Sequence, residues 1–417
     1  MVRAAGSTAF REVLRAPAVR VTAGVTLVIM LGYGLIVPVL PLFARSFGVG
    51  AAEVGILVTT FGFMRLVFDL VGGPLVDRFG ERRTATAGAV TVGVSAALSA
   101  LSPSFVALVG FRAIGGAGSA ILFAALMSWL VRSVAPVRMA RTMSVFYAAF
   151  LLGTVLGQPI GGLIGEVLGL AAPLWFYAGA CFVSAALILR RVTDTGESGR
   201  TDASGGESLA GEAEGPLPTA WGRIRGLLSG RAFVTALLAN AAMFWALASV
   251  RMTLVPLFAE QELGLSESAI GAVLGVAGVA QFLVMWKAGT VADARGRKVV
   301  LVPALLGLAG ATALVGGAGS AATLALVMAL LGVATGFAGV APGAIVADVA
   351  PRRTGTAIGM YRFAGDVGFV LGPVVAGFVA DAFGFAAAFL VLAAPLLLVF
   401  VLAIGMPETL ASASRNR

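Results

Sequence analysis

Histidine is absent from the 417 residues, cysteine occurs once, and only 12% of the chain is charged. Without histidine the chain lacks the commonest metal ligand and the side chain that changes charge near neutral pH. Cys181 alone cannot close an internal disulfide. No metal and no cofactor is expected. An ordinary soluble protein is about 25% charged, so there is too little polar surface here to cover a globule in water. What the chain has instead is apolar length, with 59% of its residues hydrophobic.

A helix needs roughly 20 mostly apolar residues to cross the hydrocarbon core. Twelve such stretches lie near 21–44, 54–76, 84–101, 105–131, 142–165, 170–190, 232–258, 268–288, 299–318, 321–347, 355–380 and 385–406. Lipid offers the backbone no hydrogen-bond partners, so each is expected to be a helix. A basic leader with Arg3, Arg11, Arg15 and Arg20 precedes the first and superficially resembles a secretory signal. Its apolar run is too long and further spans follow, so it reads as a retained first helix.

The net charge of +9 would suit a nucleic acid if it were gathered on one face. It is not. Of 29 Lys and Arg, 23 fall in the two termini and the loops after even-numbered spans, whereas the loops after odd-numbered spans hold Arg45 alone. The loop after the seventh span is acidic, with Glu260, Glu262 and Glu267. Positive residues stay inside. Both termini and the central loop are therefore expected in the cytoplasm, in a multi-pass cell (inner) membrane protein with the lipid bilayer, not nucleic acid, as its partner.

Residues 191–231 change to Gly, Ser, Glu and Asp and cannot bury enough apolar surface to fold alone. They read as a flexible linker between an N-terminal half, 1–190, and a C-terminal half, 232–417. At the linker's end Trp221, Ile224 and Leu228 stand at helical spacing with Arg223 and Arg225 between them, which suits a short helix on the membrane surface. The halves repeat at an offset of 215 or 216 residues. "PLFA" at 41–44 recurs at 256–259; Gly73, Asp77 and Gly80 match Gly289, Asp293 and Gly296; Gly153, Gly157, Gly162, Glu166 and Gly169 match Gly368, Gly372, Gly377, Asp381 and Gly384. Parallel repeats of this kind put a substrate site near the midplane between halves that rock in alternation.

At these residues the chain resembles the major facilitator superfamily. "GPLVDRFGERR" at 73–83 looks like its signature loop, with Gly73, Asp77, Arg78, Gly80, Arg82 and Arg83, and "GTVADARGRK" at 289–298 is the echo, with Gly289, Asp293, Gly296 and Arg297. Gly73 and Gly80 suit close packing and a tight turn, Asp77 can cap a helix end, and the arginines suit an anionic surface. Three segments resemble the twelve-span drug:proton antiporters of that family: "LGYGLIVPVLP" at 31–41, "FRAIGGAGSA" at 111–120 around Arg112, and "GTVLGQPIGG" at 153–162. In the last, Pro159 is displaced by one place and Gln158 takes the usual position, while "GFVLGP" at 368–373 carries Pro373 in register. Gly153, Gly157, Gly161, Gly162, Gly368 and Gly372 also suit plain close packing of membrane helices. The resemblance implies an all-α integral membrane protein of twelve transmembrane helices in two pseudo-symmetric six-helix bundles, and makes efflux, as in multidrug resistance, the favoured direction.

Ionisable groups inside a span are expensive, and each is a functional-site candidate. They are Arg65 and Asp69 in span 2, Arg112 in span 4, Arg251 in span 7, Lys287 near the end of span 8, and Arg362 and Asp366 in span 11. At the repeat offset Asp69, Arg112, Arg251 and Asp366 all meet uncharged residues, so the duplicated scaffold does not require them. Lys287 can snorkel to the interface. Asp348, Glu166 and Asp381 sit at helix ends, where capping is the expected job. Arg112 suits proton coupling or hydrogen bonding between helices, and Arg251, Asn240 and Gln158 suit the wall of a substrate cavity. A proton-coupled carrier needs a carboxylate that alternates between two charge states, and Asp69 and Asp366 are the only acids well inside the spans. The first span carries no acid, which leaves neutral or anionic substrates as well suited as cationic drugs.

These features describe a monomeric secondary transporter that exports a small amphipathic compound in exchange for protons. A metabolite or sugar-type facilitator is the nearest alternative. A polytopic enzyme would need clustered His, Asp or Ser chemistry, and a receptor a larger extramembrane domain.

Spans 2 and 11 also match in charge and depth. At about 1.5 Å per residue, Arg65 and Asp366 each lie about 18 Å from the expected cytoplasmic ends of their helices, near Asp77 and Thr354, and Asp69 and Arg362 each about 12 Å. Reciprocal pairs, Arg65 with Asp366 and Asp69 with Arg362, would close a gate, whereas the i,i+4 spacing also allows each pair to form within its own helix. Charge exchange separates the two. Arg65→Asp is expected to cripple transport, and adding Asp366→Arg to restore part of it; rescue by Asp69→Arg instead assigns the pairs to single helices.

Overall fold

The computed structural model describes residues 16–135, 138–194, 220–350 and 354–410. Arg3, Arg11 and Arg15 of the basic leader, most of the expected linker and the C-terminal arginines lie outside the described residues, whereas Arg20 lies in the first helix. Among the described residues twelve long helical segments run in the expected order. They are α1 (Pro17–Ile36), α2 (Ala51–Phe79), α3 (Glu81–Ala100), α4 (Phe105–Ser133), α5 (Met139–Leu168) and α6 (Ala172–Arg191). They continue as α7 (Arg231–Gln261), α8 (Glu267–Arg295), α9 (Arg297–Val315) and α10 (Ala321–Val349). The last 51-residue helix, Thr354–Ile404, is broken where Gly384 takes φ 83°, giving α11 (354–383) and α12 (385–404). The expected short helix also forms, as Ala220–Leu228, but it buries Leu227 and leaves Leu228 exposed.

Ten of these stretches, counting Thr356–Ile404 as one, are long and apolar enough to cross a membrane. The one that falls short is α3, which carries Thr84, Thr86, Thr91, Ser95 and Ser99. Its hydroxyls mostly find main-chain acceptors: Thr86 donates to the Arg82 carbonyl at 2.7 Å, Thr91 to Ala87 at 2.8 Å and Ser95 to Phe111 of α4 at 2.6 Å. A satisfied hydroxyl loses little on leaving water.

Prolines set the breaks. Pro38 follows α1, and a short helix, Leu40–Arg45, resumes after it. In α7 the helix widens over Leu247–Leu254 into a π-helical segment just before Pro256. Proline has no N–H, and its ring crowds the carbonyl four residues back. The wider register accommodates this, and Thr253 donates to the carbonyl five residues back, at Ala248, at 2.9 Å.

Packing divides the chain into two compact units, Met1–Ile36, Phe63–Gly157 and Ala171–Leu217 in one and Val37–Gly62, Gln158–Leu170 and Pro218–Arg417 in the other. In the first, α3 lies on α4 and α6, and α1 on α6. In the second, α7 lies on the 354–404 helix, α8 on α10, and α9 on both. The second unit also holds the far ends of α2 and α5, where Glu166 and Asp381 cap helices as expected. Glu166 accepts from the Ser268 N–H at the start of α8, at 3.0 Å. Its repeat equivalent Asp381 accepts from the Ala51 and Ala52 N–H groups at the start of α2, at 2.9 and 2.8 Å. Arg45 and Glu260, themselves repeat-equivalent, pair at 2.8 Å.

At the signature-loop end of each unit, a single glycine in a left-handed conformation joins two helices, Gly80 (φ 80°) between α2 and α3 and Gly296 (φ 114°) between α8 and α9. A side chain at either glycine would strike a carboxylate, Asp194 or Glu408. Those carboxylates cap the helices that follow: Asp194 accepts from the Arg82 N–H at 2.9 Å, and Glu408 from the Arg297 and Lys298 N–H groups at 2.9 and 3.1 Å. Burial alone would push the Glu408 carboxyl up, but four main-chain donors, from Arg297, Leu410, Lys298 and Thr409, outweigh it and hold its pKa below the ordinary value. This contact therefore stabilises the fold above the ordinary carboxylate range and weakens as pH falls through the lowered value.

Two readings of the signature loop are corrected. Asp77 does not cap a helix, because Arg132 of α4 takes its carboxylate at 3.0 Å. Gly73 faces open space, as does its repeat equivalent Gly289, so close packing is not what Gly73 provides. Arg132 bridges Asp77 and Glu81, the latter at 2.9 Å. In the second unit Arg297 bridges Asp293 and Asp348, which corrects the capping role expected for Asp348. The two triads occupy the same repeat positions, yet Glu81 and Arg132 stand where Arg297 and Asp348 stand in the other half. Each half thus has one arginine between two acids, with the arginine on opposite sides of the pair.

Glu81 has a side chain 2% exposed, against 46% for Arg132. Arg132→Gln is expected to lower stability by on the order of 1–2 kcal/mol, since the partner left behind is buried while the arginine is screened. Exchange of the pair, Glu81→Arg with Arg132→Glu, copies the arrangement of the other half. Thermal unfolding of the purified protein should show the exchanged double variant above either single one; a double variant no better than the worse single would refute the equivalence.

Candidate functional site

Polar groups within the apolar helices occur in both units, gathered around Arg112 in the first and spread over several helices in the second. In the first, Arg112 of α4 is 3% exposed. Around it stand Tyr33 of α1 and Tyr177 of α6, whose rings meet edge to face at 6.2 Å, with Cys181 one turn beyond Tyr177. Arg65 of α2, half-buried, also lies within electrostatic reach of Tyr33. The glycine run after Arg112 is buried: Gly118 fits against Thr91, and Gly88 of α3 against the Leu122 backbone. Close approach of α3 and α4 holds Arg112 at the centre of its unit. Asp69 stands half-buried one turn after Arg65, at the i,i+4 spacing.

In the second unit, Arg251 is 5% exposed on the π-helical segment of α7. Its Nη1 donates to Gln281 Oε1 of α8 at 3.0 Å, and its Nε has no partner among the described residues. Asn240 turns toward α11, donating to the Tyr361 carbonyl at 2.8 Å. Gln158 is 2% exposed on α5, its main chain against Gly271 of α8 and its Oε1 without a partner among the described residues. On α11, Arg362 is exposed and Asp366 half-buried. Lys287 is exposed.

The glycine motifs form the close contacts that such motifs allow. Gly153 and Gly157 of α5 meet α1 at Leu27, Leu31 and Gly34, and Gly162 meets α8 at Glu267 and Gly271. On the other repeat Gly368 and Gly372 of α11 meet α7, and Gly377 meets α2. Pro159 lies against Gly275, and the Pro373 carbonyl against Gly55.

The sequence reading missed Tyr33, Tyr177 and Gln281, whose types are unremarkable in a span and whose roles come from arginines on other helices. It also missed Glu81 and Arg132. Those were legible: aligning the halves at 216 residues sets Glu81 beside Arg297 and Arg132 beside Asp348, an exchange of sign at paired positions.

The family model described as Major Facilitator Superfamily matches residues 22–261 and 237–417. Quinolone resistance protein NorA of Staphylococcus aureus (strain MRSA252) is 30% identical over 140 residues, 33% of this chain and 36% of that protein. The match thus spans about a third of the length of that curated relative. Among solved structures, a bacterial homologue of the human lysosomal transporter Spinster, in an inward-facing and occupied conformation, superposes with a TM-score of 0.75 at 14% identity, over 96% of this chain and 97% of that one. The nucleoside transporter NupG does so with a TM-score of 0.74 at 13% identity, over 93% and 98%. At such identities these show the fold. A family match that runs through both six-helix repeats, on a duplicated frame of membrane helices with its signature loops in place, makes the chain a membrane transporter and not an enzyme: it belongs to the Major Facilitator Superfamily.

Proposed function

We propose that this transporter exports a small amphipathic compound by alternating access and exchanges it for protons, working as a monomer in the cell membrane with both termini in the cytoplasm. The observation that carries the reading is the pair of Arg-x-x-x-Asp modules, Arg65 with Asp69 and Arg362 with Asp366. A carboxylate one turn from an arginine can exist charged and paired, or protonated with the arginine left to find another partner. Each state favours a different set of contacts, which couples a proton to a conformation. Arg112, at the centre of the cluster in the first unit, supplies a fixed positive charge against which such a proton is exchanged. Export is supported by the antiporter-type glycine segment of α5 and by partial similarity to a quinolone resistance protein.

Proteoliposomes loaded with a pH-sensitive dye test the reading. Substrate addition is expected to drive proton movement in the wild type, and Asp69→Asn or Asp366→Asn to abolish it; solute movement without protons identifies a facilitator. Orientation is checked separately. A reporter fused after Arg417 or within 195–215 is expected to be cytoplasmic and one at Glu262 external; a cytoplasmic signal at Glu262 overturns the orientation.

A further inference from the structure

We infer that Arg251 and Gln281 form a subsite for the carboxylate of an amphipathic anion. Arg251 is nine-tenths or more buried, and among the described residues no Asp or Glu pairs with it. A buried charge without a counter-ion remains unfavourable even after relaxation. Its repeat counterpart is Ile36 or Leu35, so the fold is built in the other half without a charge there. An anion arriving with the substrate supplies the missing charge.

The geometry selects the kind of anion. Gln281 holds Nη1, and Nε is buried without a partner among the described residues, so the edge that Gln281 does not occupy is the one formed by Nε and Nη2. Their N–H groups are parallel, the arrangement that a carboxylate accepts with both oxygens. Gln281 is fixed in turn, because Gly336 of α10 lets that helix approach the Gln281 main chain. The π-helical segment contributes as well, since widening the helix at Leu247–Leu254 changes the direction of the side chains that follow. Single π-helical turns recur at functional sites. One guanidinium brings one positive charge, which makes a monoanion the match.

This assignment deepens the transport reading and rests on it for its biological meaning, but its test needs no turnover. Binding to the full chain in detergent is measured with 2-naphthoate and with its uncharged methyl ester. The wild type is expected to bind the naphthoate about tenfold more tightly than the ester. Gln281→Glu keeps the shape and sets a carboxylate on Arg251, which should bring the ratio to about one. Arg251→Lys keeps the charge without the fork and should fall between the two. A wild-type ratio near one, or a ratio unchanged in both variants, overturns the assignment. A charge-selective site in a protein that moves nothing would sink the transport reading and leave this one standing; transport without charge selectivity would do the reverse.

Discussion

A polar group within the helices depends on the protein for its partner, because a hydrocarbon surrounding supplies none. Most features of the fold follow from this. Most hydroxyls of α3 turn back to main-chain carbonyls, and Pro41 and Pro256 stand where a lost donor is tolerated, at a helix start or beside a widened turn, whereas Pro74, Pro159, Pro303, Pro373 and Pro395 lie inside helices. Helix starts in the second unit are capped by carboxylates from distant segments, Asp381 for α2, Glu166 for α8 and Glu408 for α9. In each case the main-chain N–H groups that a helix leaves unpaired at its start are matched with a negative charge, which the helix dipole also favours.

Duplication supplies the frame and then departs from itself. Glycines at repeat-equivalent places on α5 and α11 bring those helices onto α1 and α7, and onto α8 and α2. The same rule therefore builds each close crossing twice. The signature-loop triads keep the composition of one arginine and two acids, but exchange the positions of Arg132 and Asp348. What is kept is charge balance around the arginine. Which helix carries the arginine is free to change, because an ion pair is indifferent to which partner stands on which side.

The helices, their order and the repeat were legible in the sequence because apolar length and small-residue spacing are one-dimensional signals. Gly80 and Gly296 could be read as turns, since only a residue without a side chain fits so tight a reversal next to a carboxylate. Partnerships between distant segments were much less visible. Asp77 looked like a cap because capping is local, and its true partner, Arg132, lies 55 residues away. Glu408 gave no local signal at all, standing 111 residues from the Arg297 N–H that it receives. Gln281 has meaning only beside Arg251, and nothing in its own helix points there. Asn240, assigned to a cavity wall by type, spends its amide on the neighbouring main chain of Tyr361.

The contrast between frame and charges is itself informative. Helix crossings recur in both halves, whereas Arg112, Arg251, Asp69 and Asp366 each stand opposite an uncharged residue. Packing made twice by one rule gives equivalent contacts similar energies, so under the proposed alternating access the frame alone supplies little preference between the two states. A difference of about 1.4 kcal/mol shifts such a balance tenfold, and one unpaired charge in an apolar surrounding exceeds that. The residues that break the repeat are therefore the ones on which the proposed coupling to a proton or a bound anion rests. Arg251 fits that description most sharply, held by a neutral glutamine at Nη1 and with its Nε buried without a partner among the described residues.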